Sequence, residues 1–251
     1  MARMAGGFDS LLDGRLKLRQ PEKGHRAGTD AVLLAAAMGD ATGHGTDIGA
    51  GVGTVGLAIA LHCPLAQVTL VELAGEAAGF ARENIGLNGL AHRACVAQAD
   101  ILIPKSRRAA GLIDGQAEFA VSNPPFFEAG RVRVSGNAAR AGAHVLEKGD
   151  LVRWIAACLA LVRPGGSFAL IHRPDAMAEI LEGFAGRMGG LALLPVYARA
   201  DQPAIRLIVR GRKGSRAPLR LLPGLVLHQA DGAFTARAEA IHRGREWLVE
   251  L

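Results

Sequence analysis

Strand and helix patterns alternate from residue 28 to about residue 210, and this alternation most limits how the chain can fold. Short apolar runs such as "QVTLVEL" and "AEFAVSN" predict buried strands, and amphipathic runs such as "GEAAGFARENIGLNG" predict helices. Such alternation with short connections produces a mostly parallel sheet that is covered on both faces. The last two strands, "LALLPVYA" and "AIRLIVRG", predict an antiparallel hairpin at one edge. We therefore expect an α/β fold with a mostly parallel seven-stranded sheet.

The remaining segments are arranged around this core within one expected domain of 251 residues. Residues 1–40 form an N-terminal segment, residues 41–212 the core, and residues 213–251 a C-terminal extension with a helix at "TARAEAIHR". Thr29 is expected to cap a helix at "TDAVLLAAAM", and residues 103–117 are predicted to be a surface loop. Residues 128–148, rich in Gly, Ala and Arg, form a long connection that we interpret as a candidate lid.

The composition argues against membrane insertion, export and metal binding. No apolar run reaches the roughly 18 residues of a membrane span, and the N-terminus lacks the apolar core of a signal peptide. Cys63, Cys95 and Cys158 are odd in number, widely spaced and without a CxxC pair, which favours reduced thiols. We expect a cytoplasmic protein without a metal.

The net charge of +6 is concentrated in residues 196–220. This segment has one acid, Asp201, and seven basic residues: Arg199, Arg206, Arg210, Arg212, Lys213, Arg216 and Arg220. A concentrated positive charge favours an anionic partner, nucleic acid first. The alternative is a solvated basic surface without a partner.

A glycine-rich turn, "DIGAGVGTVG", follows the first core strand. From Gly51 it matches G-x-G-x-x-G, the fingerprint of dinucleotide-binding proteins, and Glu72 lies 21 residues further on. Asp47 argues against that interpretation, since a carboxylate just before Gly49, Gly51 and Gly53 would repel a pyrophosphate.

S-adenosylmethionine suits the same turn because it carries an ammonium and a sulfonium. Asp47 would face this positive charge, while the glycines let the backbone approach closely. Glu72 would accept hydrogen bonds from the ribose hydroxyls, and Asp100, at the end of "QAD", would accept from the adenine amine. Alternatively, Asp47 and Asp100 only cap turns.

The stretch "SNPPFF" ends another strand at the same predicted edge of the sheet. Pro125 restricts Pro124 to an extended conformation, so that Asn123 Oδ1 and the Pro124 carbonyl point outward as two fixed acceptors. Two acceptors match the two hydrogens of a planar exocyclic amine, and Phe126 offers a stacking face for its ring. Phe127 has no assigned role. Alternatively, the prolines only form a rigid turn and the phenylalanines belong to the core.

"DIGAGVG", "VEL" and "SNPPF", in this order, resemble the class I S-adenosylmethionine-dependent methyltransferases that act on amines, which have a Rossmann-like fold. "GHRAGTDAVLLAAA" is similar to one subset, the bacterial tRNA (adenine-N6) methyltransferases that modify valine tRNA. The resemblance extends over about residues 11–242.

The resemblance implies further site residues. Arg26, Thr29 and Asp30 would frame the methionine end of the cofactor, which makes residues 1–40 a cofactor-framing segment, and Leu73 in "VEL" would line the cofactor site. His144 in the candidate lid has no assigned role; we expect a surface residue, with contact to the substrate as the alternative. The chain departs from the family pattern at "GHGTD", where the first core strand has little to bury. We expect that strand to be short or poorly packed.

These expectations favour methylation of the N6 amine of an adenine in RNA, with tRNA as the first candidate. Methylation of guanine-N2 in ribosomal RNA or of a protein glutamine amide would use the same acceptor geometry. A small-molecule methyltransferase is a different class, in which the basic segment would be incidental. A further alternative is an RNA-binding protein that keeps the fold without catalysis.

Overall fold

The computed structural model describes residues 2–4, 8–21, 28–124, 149–248 and 251. Arg26, Pro125, Phe126, Phe127, His144 and the whole candidate lid lie outside these ranges. The strands are β1 Ala2–Met4, β2 Phe8–Leu11, β3 Leu16–Leu18, β4 Gly43–Ile48, β5 Ala66–Glu72, β6 Ala94–Gln98, β7 Ala117–Ser122, β8 Val162–His172, β9 Met188–Tyr197, β10 Ala204–Lys213, β11 Arg220–Leu221 and β12 Leu225–Val226. The α-helices are α1 Thr29–Ala36, α2 Thr54–His62, α3 Gly75–Leu87, α4 Pro104–Ala109, α5 Asp150–Leu161, α6 Met177–Phe184 and α7 Ala236–His242.

The large sheet has the strand order β9-β10-β8-β7-β4-β5-β6. Neighbouring strands pair in parallel from β8 to β6, whereas β10 is antiparallel to both β8 and β9. The predicted seven-stranded sheet and its hairpin are thus confirmed. The short strands β11 and β12 add to β9 in parallel, so the outer edge of the hairpin is covered.

Helices cover both faces of this sheet. One apolar core forms beneath α1, α2, α3 and α7, and a second forms beneath α4, α5 and α6. In the described part of the chain, none of the helices is long and apolar enough to cross a membrane.

Two local predictions were wrong. The expected surface loop 103–117 contains α4, which Arg107 anchors by donating from a buried side chain to the Ile101 carbonyl at 2.8 Å. Thr29, which we expected to cap α1, is instead its first helical residue after Gly28, and its hydroxyl lies 3.1 Å from His242 Nε2.

The first core strand was also expected to be short or poorly packed, and this expectation was wrong. β4 is six residues long and lies between β5 and β7 at the centre of the sheet. The ring of Phe119 on β7, which is 1% exposed, occupies the space that a side chain of Gly45 would fill. The missing apolar volume of "GHGTD" is therefore supplied by the neighbouring strand.

A three-stranded antiparallel sheet, β1-β2-β3, precedes the core and had no counterpart in the sequence predictions. Two asparagines of α3 bind its edge strand. Asn88 accepts from the Lys17 amide at 2.9 Å and donates to the Lys17 carbonyl at 2.7 Å. Asn84 pairs with both backbone groups of Arg19 in the same way, at 2.6 and 2.9 Å.

The basic segment 196–220 extends over both ends of the sheet. Near the start of β10, Leu207 pairs with His172 at the carboxyl end of β8. Arg212, near the end of β10, pairs with Ser167, which lies five residues closer to the amino end of β8. Because β10 is extended, Arg206 and Arg212 lie roughly 20 Å apart. The segment therefore cannot present all its charges to one site.

Several of these cations also bind within the protein. Arg206 pairs with Asp30 at 2.8 Å, and the buried Arg210 pairs with Asp40 at 2.8 Å while donating to the Ala37 carbonyl at the end of α1. Lys213 donates to two carbonyls at the end of α5, both at 2.7 Å. The surface is consequently less positive than the sequence of the segment suggests.

Candidate functional site

The carboxyl ends of β4, β5 and β7 meet at one edge of the sheet, as the register of the parallel pairs requires. Asp47 and Glu72 lie near the ends of β4 and β5, and Asn123 follows β7 directly. The structure thus brings together three of the side chains that we selected from the sequence.

The glycine turn between β4 and α2 has a backbone that favours glycine. Gly49, Gly51 and Gly53 have φ angles of 71°, 56° and 89°, in the left-handed region. A Cβ on Gly53 would come within 2.7 Å of Leu70, whereas one on Gly51 would meet no atom within 4 Å. The turn is therefore pressed against β5 at Gly53 and open at Gly51, where a ligand can approach the backbone.

Glu72 is held in place by backbone amides on both sides. One carboxylate oxygen accepts from the Gly51 amide at 2.8 Å, and the other accepts from the Ala74 amide at 2.8 Å. Each oxygen keeps a further lone pair for a hydroxyl donor. The exposed side chain of Leu73 lies next to this carboxylate in sequence.

Asp47 is 1% exposed and accepts from the Gly56 amide at 2.8 Å. Burial raises its pKa to about 7, against the opposing effect of the Gly56 hydrogen bond and with a smaller contribution from the negative charge of Glu72. Gly56 permits the short approach, since a Cβ there would lie 2.9 Å from Val68 and 3.1 Å from the Asp47 Cβ. A buried carboxylate of this kind gains from a cationic ligand.

Asp100, after β6, forms a turn. Its Oδ1 accepts from the Leu102 amide at 2.9 Å, and its own amide donates to Ser106 Oγ at 3.0 Å. One oxygen thus has the capping role that we considered as an alternative, and contact with an adenine amine stays a prediction for the other.

Asn123 is half-buried, and its Oδ1 is inaccessible to solvent and accepts no hydrogen bond from the described residues. Leaving a buried acceptor unsatisfied costs free energy, about 1–3 kcal/mol. Pro124 beside it is buried. This oxygen does not point outward to solvent as expected, so a substrate amine could satisfy it only once substrate binding gives access to it.

Of the N-terminal residues that we expected to frame the cofactor, Thr29 and Asp30 lie at the same end of the sheet, and Arg26 lies outside the described residues. Asp30 is bonded to Arg206 at the start of β10, and Thr29 is close to His242 of α7. Their contact with a cofactor stays a prediction.

Sequence reasoning missed three residues at this site. Asn84 donates to the Val52 carbonyl of the glycine turn at 2.9 Å, and Ser122 and Trp154 are hydrogen-bonded to each other at 2.9 Å. Asn84 did have a signal in the sequence, because it falls on the apolar side of the predicted helix. An amide at such a position is buried, as Asn84 is, and buried amides need hydrogen-bond partners. The other two come together across 32 residues, which no local pattern indicates.

Comparison with known proteins identifies the architecture. Residues 26–160 match the family model described as "Methyltransferase small domain". The chain belongs to this family.

Similar proteins agree with this membership. A tRNA1(Val) (adenine(37)-N6)-methyltransferase of Porphyromonas gingivalis is 31% identical over 84% of each chain. A release factor glutamine methyltransferase of Chlorobaculum tepidum is 30% identical over 48% of this chain and 40% of its own length. Among solved structures, a predicted O-methyltransferase of Agrobacterium tumefaciens has a TM-score of 0.73 and 32% identity, covering 88% of this chain and 98% of its own. The protein is an S-adenosylmethionine-dependent methyltransferase of class I.

The residues of the site fit S-adenosylmethionine. The open face of Gly51, the oriented Glu72 carboxylate and the buried Asp47 carboxylate provide space, hydroxyl acceptors and negative charge for a cationic adenosine derivative. Within the described residues, no group of three or more His, Cys, Asp or Glu side chains is placed to hold a metal ion.

Asp47→Asn should stabilise this methyltransferase more at pH 8 than at pH 5. A carboxyl whose pKa rises from 3.8 to about 7 on folding binds more protons in the folded state, so wild-type stability falls as the pH rises through that window. Asparagine can still accept from the Gly56 amide but carries no charge. We expect its stability gain over wild type to be roughly 2 kcal/mol larger at pH 8, measured by urea unfolding at both pH values. A gain that is independent of pH would contradict the raised pKa.

Proposed function

We propose that this methyltransferase acts on the N6 amine of an adenine in RNA, with tRNA as the substrate. The observation that carries the proposal is Asn123 Oδ1, just after β7, a buried acceptor without a hydrogen-bond partner among the described residues, which an amine donor could satisfy. The similarity to tRNA1(Val) (adenine(37)-N6)-methyltransferases over 84% of each chain favours adenine as the ring that bears this amine.

The residues of the protein itself would act by positioning the amine next to the methyl group. When bound, S-adenosylmethionine supplies an electrophilic methyl group. Asn123 Oδ1 and the Pro124 carbonyl would accept from the two N–H groups of the amine and keep its lone pair directed at that methyl group. Such an arrangement needs no covalent intermediate and no strong base. In the proposed arrangement, Phe126 would stack on the adenine, and Pro125 would keep Pro124 extended. The base would have to leave its stack to reach the site.

RNA phosphates would bind beside the same edge of the sheet. Of the basic segment, Arg199 follows β9 and is exposed near the carboxyl end of β8, whereas Arg216 is exposed at the opposite end, next to the start of β9. Arg199 is therefore expected to contribute more to RNA binding than Arg216. Binding should weaken as salt is added, because phosphate contacts release counterions.

The proposal is tested with tritiated S-adenosylmethionine and total tRNA from cells that lack the gene. Label should enter tRNA, and nucleoside analysis should identify it as N6-methyladenosine. Arg199→Glu should raise the KM for tRNA by about fivefold or more, while Arg216→Glu, the matched charge reversal at the far edge, should leave it near the wild-type value.

A glutamine side-chain amide is the second candidate acceptor, because its planar NH₂ would satisfy Asn123 in the same way. The partial similarity to release factor glutamine methyltransferases favours this alternative. Label that enters only protein, or only guanosine of RNA, would refute the adenine proposal.

A further inference from the structure

A hydrogen-bonded chain joins the cofactor turn to the residue before Asn123. The Trp154 indole N–H on α5 donates to Ser122 Oγ at 2.9 Å, and Ser122 Oγ donates to the Ile48 carbonyl at 2.8 Å. Ser122 is fully buried and immediately precedes Asn123, and Ile48 immediately precedes Gly49. One of these hydrogen bonds therefore connects the ends of β7 and β4, and the other connects α5 to the end of β7.

The indole ring also contacts the cofactor turn itself. A Cβ placed on Gly49 would lie 3.2 Å from Trp154 Cζ2 and 3.5 Å from Cη2, so the ring edge rests against this glycine. Glycine at this position provides room for the indole as well as the φ of 71°. One side chain thus touches the first glycine of the turn and holds the hydroxyl next to the proposed amine acceptor.

From these contacts we infer that Trp154 is a positioning residue, which sets the separation between the methyl donor at the glycine turn and the amine held by Asn123. The inference rests on the proposed role of Asn123. A rigid aromatic ring suits this task because it has few rotamers and its N–H fixes its orientation. Misplacing reactants by about 1 Å can cost about 10²-fold in rate, so a spacer between the two strand ends affects the chemical step directly.

Trp154→Phe keeps an aromatic ring but removes the N–H, and Ser122→Ala removes the acceptor while leaving the indole. Each should lower kcat about tenfold or more at saturating cofactor and RNA, with a change of less than about threefold in the Kd for S-adenosylmethionine. The double variant should be little worse than Ser122→Ala alone, since Ser122→Ala already removes both hydrogen bonds of the chain. A kcat within twofold of wild type in both single variants, or a loss of kcat matched by the loss of cofactor affinity, would overturn the inference.

Tryptophan fluorescence provides a test that needs neither RNA nor a disrupted site. The chain has two tryptophans, and Trp247 stacks on His62 with ring centroids 3.6 Å apart. Trp247→Phe leaves Trp154 as the sole tryptophan, and its emission should change when S-adenosylmethionine binds. Trp154→Phe should lose most of this response while retaining cofactor binding by calorimetry.

If the Trp154 emission of the Trp247→Phe protein does not change although S-adenosylmethionine binds, the inference is refuted. This outcome decides the question even if Trp154→Phe does not fold. If wild-type protein transfers no label to RNA, the proposed substrate is wrong, and the fluorescence response still decides whether Trp154 contacts the occupied cofactor turn.

Discussion

Replacement of Asn123 by alanine should lower kcat about 10²–10³-fold, the range found when one preorganised hydrogen-bonding partner is removed from a transition state. Alanine removes the buried Oδ1 that accepts no bond from the described residues, so the folded protein should lose no stability at this position. Single-turnover methyl transfer, with cofactor affinity measured separately, gives the effect on the chemical step.

Asn88→Ala is the matched control. Asn88 binds the backbone of Lys17 on β3, so its loss should lower the free energy of unfolding while kcat stays near the wild-type value. Asn123→Asp keeps a carbonyl-type oxygen and should retain more activity than Asn123→Ala. Full activity of Asn123→Ala would exclude the proposed amine acceptor.

Gly45→Val should be the most destabilising of the substitutions considered, by about 3 kcal/mol or more. The Phe119 ring occupies the position of the new side chain, and both residues belong to central strands that cannot move apart without breaking the sheet. Urea unfolding of the purified variant measures the loss.

Two comparisons make this stability prediction specific. Gly45→Val combined with Phe119→Ala should recover part of the loss, because the shortened ring frees the space that valine needs. Gly79→Ala, within α3 and with no atom near the new Cβ, should instead stabilise by roughly 0.5–1 kcal/mol. A double variant that is less stable than Gly45→Val would exclude the proposed collision.

The parts of the fold that the sequence predicted are those with a local signal. Alternating strands and helices have distinct periodicities, and the ends of parallel strands share one edge, so the sequence alone predicts that Asp47, Glu72 and Asn123 lie together. The hairpin followed from two strands separated by a short connection.

The parts that could not be predicted depend on contacts between distant residues. Nothing near Gly45 in sequence indicates that Phe119 fills its space, and strands of three or four residues such as β1 and β2 are too short for a periodic pattern. The charge of residues 196–220 was visible, but the antiparallel direction of β10, which separates Arg199 from Arg216, decides where that charge lies.

The pairing of α3 with β3 has a consequence for which residues can vary. Four residues along a helix rise about 6 Å and two residues along a strand about 6.6 Å, so Asn84 and Asn88 match the spacing of positions 17 and 19. Because both amides bind only main-chain atoms there, the side chains of Lys17 and Arg19 take no part in these four hydrogen bonds, although the exposed Arg19 guanidinium also pairs with Glu83 of α3 at 3.3 Å. Nearly any amino acid could occupy these two positions and keep the four backbone hydrogen bonds, and proline, which lacks the N–H, is the exception.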